Sequence, residues 1–97
     1  MTQAERIGVE RVQTGVRMEK RLIKVLKAFA EFDDLTLSDL LEGIVLHAFA
    51  GKSPFTRASL ARIKELKRLY GLDLGPEASH RLTERQAPRT PGGAVPR

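Results

Sequence analysis

Hydrophobic spacing along the first third of the chain changes period once. In RVQTGVRM, residues 11–18, Val12, Thr14, Val16 and Met18 alternate with Arg11, Gln13, Gly15 and Arg17. That period of two predicts a short strand with one apolar face and one polar face. From about Glu19 the period becomes helical. Leu22, Val25, Leu26, Phe29 and Ala30 follow i, i+3, i+4, i+7, i+8 spacing, which predicts a helix over 19–32. Lys20, Arg21, Lys24, Lys27 and Glu31 take its polar side, and Asp33-Asp34 break it.

A second helix is predicted from Thr36, with Asp39 three residues later completing a capping box. Its apolar positions, Leu37, Leu40, Leu41, Ile44, Val45, Ala48 and Phe49, cover a wide face, and Gly51 follows as the stop. Gly43 inside this helix predicts close approach of another helix. A third helix is predicted to open at Ser53-Pro54 and close at Gly71. Its stripe is Leu60, Ile63, Leu66, Leu69 and Tyr70, with Arg57, Arg62, Lys64, Lys67 and Arg68 on the remaining faces. The last stretch is rich in Pro, Gly, Arg and Thr and predicts disorder from about residue 75. The expected organisation is a mobile N-terminus over 1–10, a strand-helix-helix unit over 11–51, an extra amphipathic helix over 53–71, and a mostly disordered tail over 72–97.

The predicted strand is alone, because no second run in the chain alternates. A lone strand leaves its own backbone donors and acceptors unpaired, so pairing with a second copy is expected. Composition agrees. The 97 residues are 41% hydrophobic but only 5% aromatic, which predicts a modest aliphatic core of the kind that oligomerisation commonly completes.

Charge adds direction. The net charge is +5, which favours an anionic partner. Residues 35–51 carry no Lys or Arg, which predicts a buried element between two solvated ones. The absence of cysteine excludes disulfides and thiolate metal sites and suits a reducing cytoplasm. MTQAERIGVE at the start lacks an apolar h-region, so no secretory leader is expected. LLEGIVLHAFAG is too short for a bilayer, and no membrane partner is expected.

Strand, helix, tight turn and helix within about forty residues, with a strand that needs a twin, resembles the ribbon-helix-helix family of Arc/MetJ-type repressors. The residues that carry the resemblance are VQTGVRM, then EKRLIKVLKAF, then TLSDLLEGIVLHAF, together spanning 12–50. It implies a mainly α, intertwined homodimer whose antiparallel two-stranded ribbon lies in the DNA major groove. It also implies Gln13, Gly15 and Arg17 as base-reading positions. Arg can pair bidentately with guanine and Gln with adenine. Phosphate contacts fall to Arg11, Lys20, Arg21 and Lys24, and to the helix start at Thr36, Leu37 and Ser38. The shared core would comprise Val12, Val16, Met18, Leu22, Leu26, Leu41, Ile44 and Val45.

The implied function is sequence-specific double-stranded DNA binding by a dimeric, cytoplasmic, nucleoid-associated bacterial regulator, repressor or antitoxin-like. Higher-order assembly of dimers on DNA stays open, and residues 53–97 offer a surface for a protein partner. Two other readings stay open. One is a scaffold dimer without DNA specificity that recruits a partner through its third helix, a reading that Gly15 favours. The other docks the third helix on an anionic membrane surface. No enzyme, cofactor or metal is expected. His47 and His80 lack a ligand set, no Ser/His/Asp spacing builds a triad, and there is no Gly-rich phosphate loop.

Overall fold

The computed structural model describes residues 5–85. The expectations for residues 1–4 and 86–97 lie outside this range. The described chain is mainly helical: α1 (Lys20–Phe32), α2 (Leu37–Phe49), α3 (Arg57–Tyr70) and a 3₁₀ turn at Pro76–Ala78. The strand expected over 11–18 does not form, and no strand is present among the described residues, because a single copy offers this segment no second strand to pair with. Residues 5–19 lead into α1 without regular structure, and no backbone–backbone hydrogen bond engages residues 5–18.

Helix starts follow side-chain caps. Glu19 accepts from the Leu22 amide at 2.9 Å, and Thr36 Oγ1 accepts from the Asp39 amide at 3.0 Å. These satisfy donors that a first helical turn cannot pair internally. The third start differs from expectation. Thr56 Oγ1 accepts from the Ser59 amide at 3.1 Å, so α3 begins after Thr56 instead of at Ser53-Pro54. Ser53 Oγ accepts from Phe55 N at 3.3 Å, a local turn that imitates a cap one step too early.

All three helices end alike. Asp34, Gly51 and Gly71 have positive φ. In each case the next amide reaches back five residues: Leu35 to the Ala30 carbonyl, Lys52 to His47, and Leu72 to Lys67. This is the Schellman closure, in which the left-handed residue releases the chain while the next amide satisfies an orphan carbonyl. It also turns Leu72 inward, where it is buried.

The core belongs to α1. Val25, Phe29 and Ala30 are buried on one face, joined by Leu40 from α2. Phe55, Ile63 and Leu66 pack against them, and the Phe29 and Phe55 rings meet edge-on with centroids 5.6 Å apart. At the C-terminal end of α1, the Arg62 guanidinium sits 3.5 Å from the Phe32 ring centroid.

Three expectations change here. Residues 35–51 are not a buried element within one chain: Leu40 is buried, whereas Val45, Leu46 and Phe49 are exposed, Phe49 by 84%. A Cβ at Gly43 would meet nothing within 4 Å, so no helix among the described residues approaches it closely. The expected disorder from about residue 75 is replaced through residue 85 by the 3₁₀ turn and a returning segment, anchored by buried Leu72.

Truncating Phe29 to Ala should cost about 3–5 kcal/mol in urea unfolding, by loss of transfer energy and a residual cavity. A loss under about 1 kcal/mol would show that the core lies elsewhere. Asp34→Gly should stabilise by about 1 kcal/mol by relieving a left-handed backbone on a residue with a Cβ.

Candidate nucleic-acid interface

The polar residues of the 11–18 segment and the start of α1 form a basic region, and its arginines already have partners. Arg11 spans to α2, donating from Nε to Glu42 Oε2 at 2.7 Å and from Nη2 to Glu42 Oε1 at 2.8 Å. Arg17 meets Glu84 of the C-terminal segment with two donors, Nε at 3.0 Å from Oε1 and Nη2 against Oε2. Arg21 donates to the Gly71 carbonyl at 2.8 Å, to Asp73 at 3.1 Å and to Glu19 at 3.0 Å. Each guanidinium is thus held by at least one carboxylate.

These pairs differ in character. Arg11 and Arg17 engage their partners bidentately and remain exposed. Arg21 is less exposed, and its bond to Gly71 places a cation at the C-terminal end of α3, where the helix dipole favours one. Arg21 therefore braces α1 against α3, whatever else it contacts. Lys20 and Lys24 remain exposed on α1. Gln13 and Gly15 are exposed, and a Cβ at Gly15 would meet nothing within 4 Å.

The start of α2 stands apart from these side chains in the sequence but offers donors of its own. Thr36 Oγ1 is occupied by the Asp39 amide. The amides of Leu37 and Ser38 lie in the first turn, where a helix supplies no internal acceptor. Asp39 in the same turn places a carboxylate near this end.

Of the eight residues expected in a shared core, none is fully buried within one chain. Val12 and Val16 are 81% and 73% exposed, Leu22 and Val45 are exposed, and Met18, Leu26, Leu41 and Ile44 are half-buried. Leu22, Leu26 and Ile44 line an apolar cavity of about 370 Å³ with Phe55, Leu72 and Leu82. It opens between α1, α3 and the returning C-terminal segment.

No match to this chain emerges from family models, curated proteins or solved structures. Among the described residues no group of three or more His, Cys, Asp or Glu is placed to hold a metal ion. His47 Nδ1 lies 2.8 Å from the Gly43 carbonyl, one turn back on its own helix. No described helix is long and apolar enough to cross a membrane.

Sequence spacing could not reveal Glu42, Asp73 and Glu84. They lie 31, 52 and 67 residues from their arginines. Their effect is electrostatic as well as geometric. The hydrogen bond from Arg11, reinforced by its charge, holds Glu42 below the usual carboxylate range, and Arg17 does the same to Glu84. Glu19 is lowered first by the Leu22 amide and then by Arg21.

A carboxyl lowered in the folded state binds fewer protons there than in the unfolded chain. Its contribution to stability is complete above the ordinary glutamate range and is lost as pH falls through the lowered value. In a carboxyl-carbon NMR titration, Arg11→Ala should move the Glu42 midpoint upward and leave that of Glu84 in place. An unmoved Glu42 midpoint would remove Arg11 as its partner.

Proposed function

We propose that this chain is a dimeric DNA-binding protein of the ribbon-helix-helix kind, in which residues 11–18 of two copies pair as an antiparallel ribbon. The observation that carries the reading is the apolar side of that segment. Val12 and Val16 stand exposed immediately before a helix whose Val25, Phe29 and Ala30 are buried, and the segment's backbone has no hydrogen-bonded partner among the described residues. A second copy meets both needs at once. Its strand supplies the missing hydrogen bonds and its helices cover the exposed Val12, Val16, Leu22 and Val45 and the half-buried Met18, Leu26, Leu41 and Ile44.

With the apolar side turned inward, Gln13, Gly15 and Arg17 face outward on a two-fold ribbon. Arg17 and Gln13 read base edges in the major groove, each presented twice, which suits a pseudo-palindromic site. Arg11, Lys20 and Lys24 contact phosphates, which position the protein without specifying sequence. The Leu37 and Ser38 amides receive a further phosphate at the positive end of the α2 dipole. The role is that of a cytoplasmic transcriptional regulator, repressor or antitoxin-like, with no catalytic activity.

A second reading draws on α3. Leu60 and Leu69 project from it, Leu69 being 72% exposed, and no element among the described residues covers them. In that reading the same dimer recruits a protein partner through residues 53–97 and the ribbon only dimerises.

Arg17→Ala and Gln13→Ala separate the two. Each should lower affinity for a selected duplex by about tenfold or more while sedimentation still reports a dimer. Parent-like DNA binding by both variants would remove the ribbon as the reading surface and favour the recruiting role. A monomer at all concentrations in the parent would remove the dimer itself.

A further inference from the structure

The geometry points to an internal competitor for DNA: Glu84, carried on the returning C-terminal segment, occupies one of the two guanidinium edges through which Arg17 would read a base. This rests on the reading of Arg17 as a base contact and names a regulation of that site. A bidentate arginine recognises guanine by presenting two parallel donors to O6 and N7. Glu84 takes two donors of Arg17, Nε and Nη2, with its two carboxylate oxygens. A guanine on the same Nε/Nη2 edge must displace Glu84, and a guanine on the remaining Nη1/Nη2 edge brings O6 and N7 close to a carboxylate charge.

The carboxylate reaches this place because the chain folds back to deliver it. After α3, Leu72 is buried and Asp73 bonds Arg21, fixing the departure point beside the start of α1. The 3₁₀ turn at Pro76–Ala78 is closed by the Ser79 amide on the Pro76 carbonyl at 3.0 Å. Arg81 then holds the turn twice, its amide donating to the Ala78 carbonyl and its Nη1 to the Glu77 carbonyl, both at 3.0 Å. His80 between them takes a positive φ, which reverses the chain. Leu82, half-covered, lines the apolar cavity beside Leu22 and Leu72 and sets the segment against α1 two residues before Glu84. Glu84 is an intramolecular ligand at high effective concentration, not a free acid that meets Arg17 by chance.

The Arg17–Glu84 pair is exposed, so its hold is weak and salt-sensitive, which is suitable for a brake that DNA can displace. A base contact on the Nε/Nη2 edge must break it first. The segment therefore lowers affinity without abolishing it, and its release frees the reading edge.

The test uses the full chain and its affinity for a random-sequence duplex pool and for any duplex selected from it. Glu84→Gln should raise affinity about two- to fivefold at low salt, the range expected for an exposed pair, with the gain shrinking as salt rises. Glu77→Gln makes the same change in net charge on the same segment, and Glu77 forms no ion pair among the described residues. It should leave specific affinity near that of the parent. In the absence of DNA, the Arg17 Nε–H resonance should shift in Glu84→Gln and stay in place in Glu77→Gln.

Equal gains from both variants would reduce the effect to bulk charge and overturn the competitor. A parent that binds DNA and a Glu84→Gln variant that binds no tighter would also overturn it, leaving the DNA reading intact. Binding by Glu84→Gln alone would support it in its strongest form. Failure of parent and variant alike to bind any duplex would remove the DNA reading, and the competitor with it.

Discussion

The apolar stripe of α1 is the contact on which the other elements depend. Val25, Phe29 and Ala30 are the buried residues of this helix. α2 reaches them through Leu40, the loop before α3 through Phe55, and α3 through Ile63 and Leu66. Because one helix supplies most of the interior, burial is concentrated around Phe29 and falls away quickly along α2 and toward both ends of α3. The Schellman closures matter for the same reason. They turn the chain sharply enough for three short helices to share one stripe, and the last of them brings Leu72 into it.

What this stripe cannot cover sets the second constraint. Val12 and Val16 lie before α1, and Val45, Leu46 and Phe49 lie on the far side of α2. Short chains with small aliphatic cores commonly complete them with a copy of themselves. In the proposed dimer the hydrogen-bonding need of 11–18 and its exposed valines have one solution, the twin strand. The polar face of the resulting ribbon then becomes available for DNA. Fold and function are coupled in that proposal: the pairing that buries the valines also turns Gln13 and Arg17 outward.

Local signals were readable in the sequence where the responsible residues are neighbours. The α1 stripe, the Thr36 cap and the stops at Gly51 and Gly71 all depend on residues within about one or two turns of each other. Ser53-Pro54 misled because a serine before a proline has the chemistry of a helix start, whereas Ser53 bonds Phe55 and leaves the cap to Thr56. Phe55 itself lies outside every helical period, so its place against Phe29 carried no signature. The order of residues 72–85 was hidden by composition, since one buried Leu72 and a 3₁₀ turn hold a stretch that reads as polar and Pro/Gly-rich. The partners of Arg11, Arg17 and Arg21 were hidden by sequence distance. Basic positions could be found from spacing, but not the carboxylates that the fold brings to them.

The central claim is that residues 11–18 pair with the same residues of a second copy, and amide hydrogen exchange resolved by residue tests it most directly. In a two-stranded antiparallel ribbon, residues alternate between hydrogen-bonded and free positions along each strand. The account predicts that every second amide across 11–18 is protected and that protection grows with protein concentration as dimer forms. Uniformly fast exchange across the segment at all concentrations, with the α1 amides around Phe29 still protected, would contradict it.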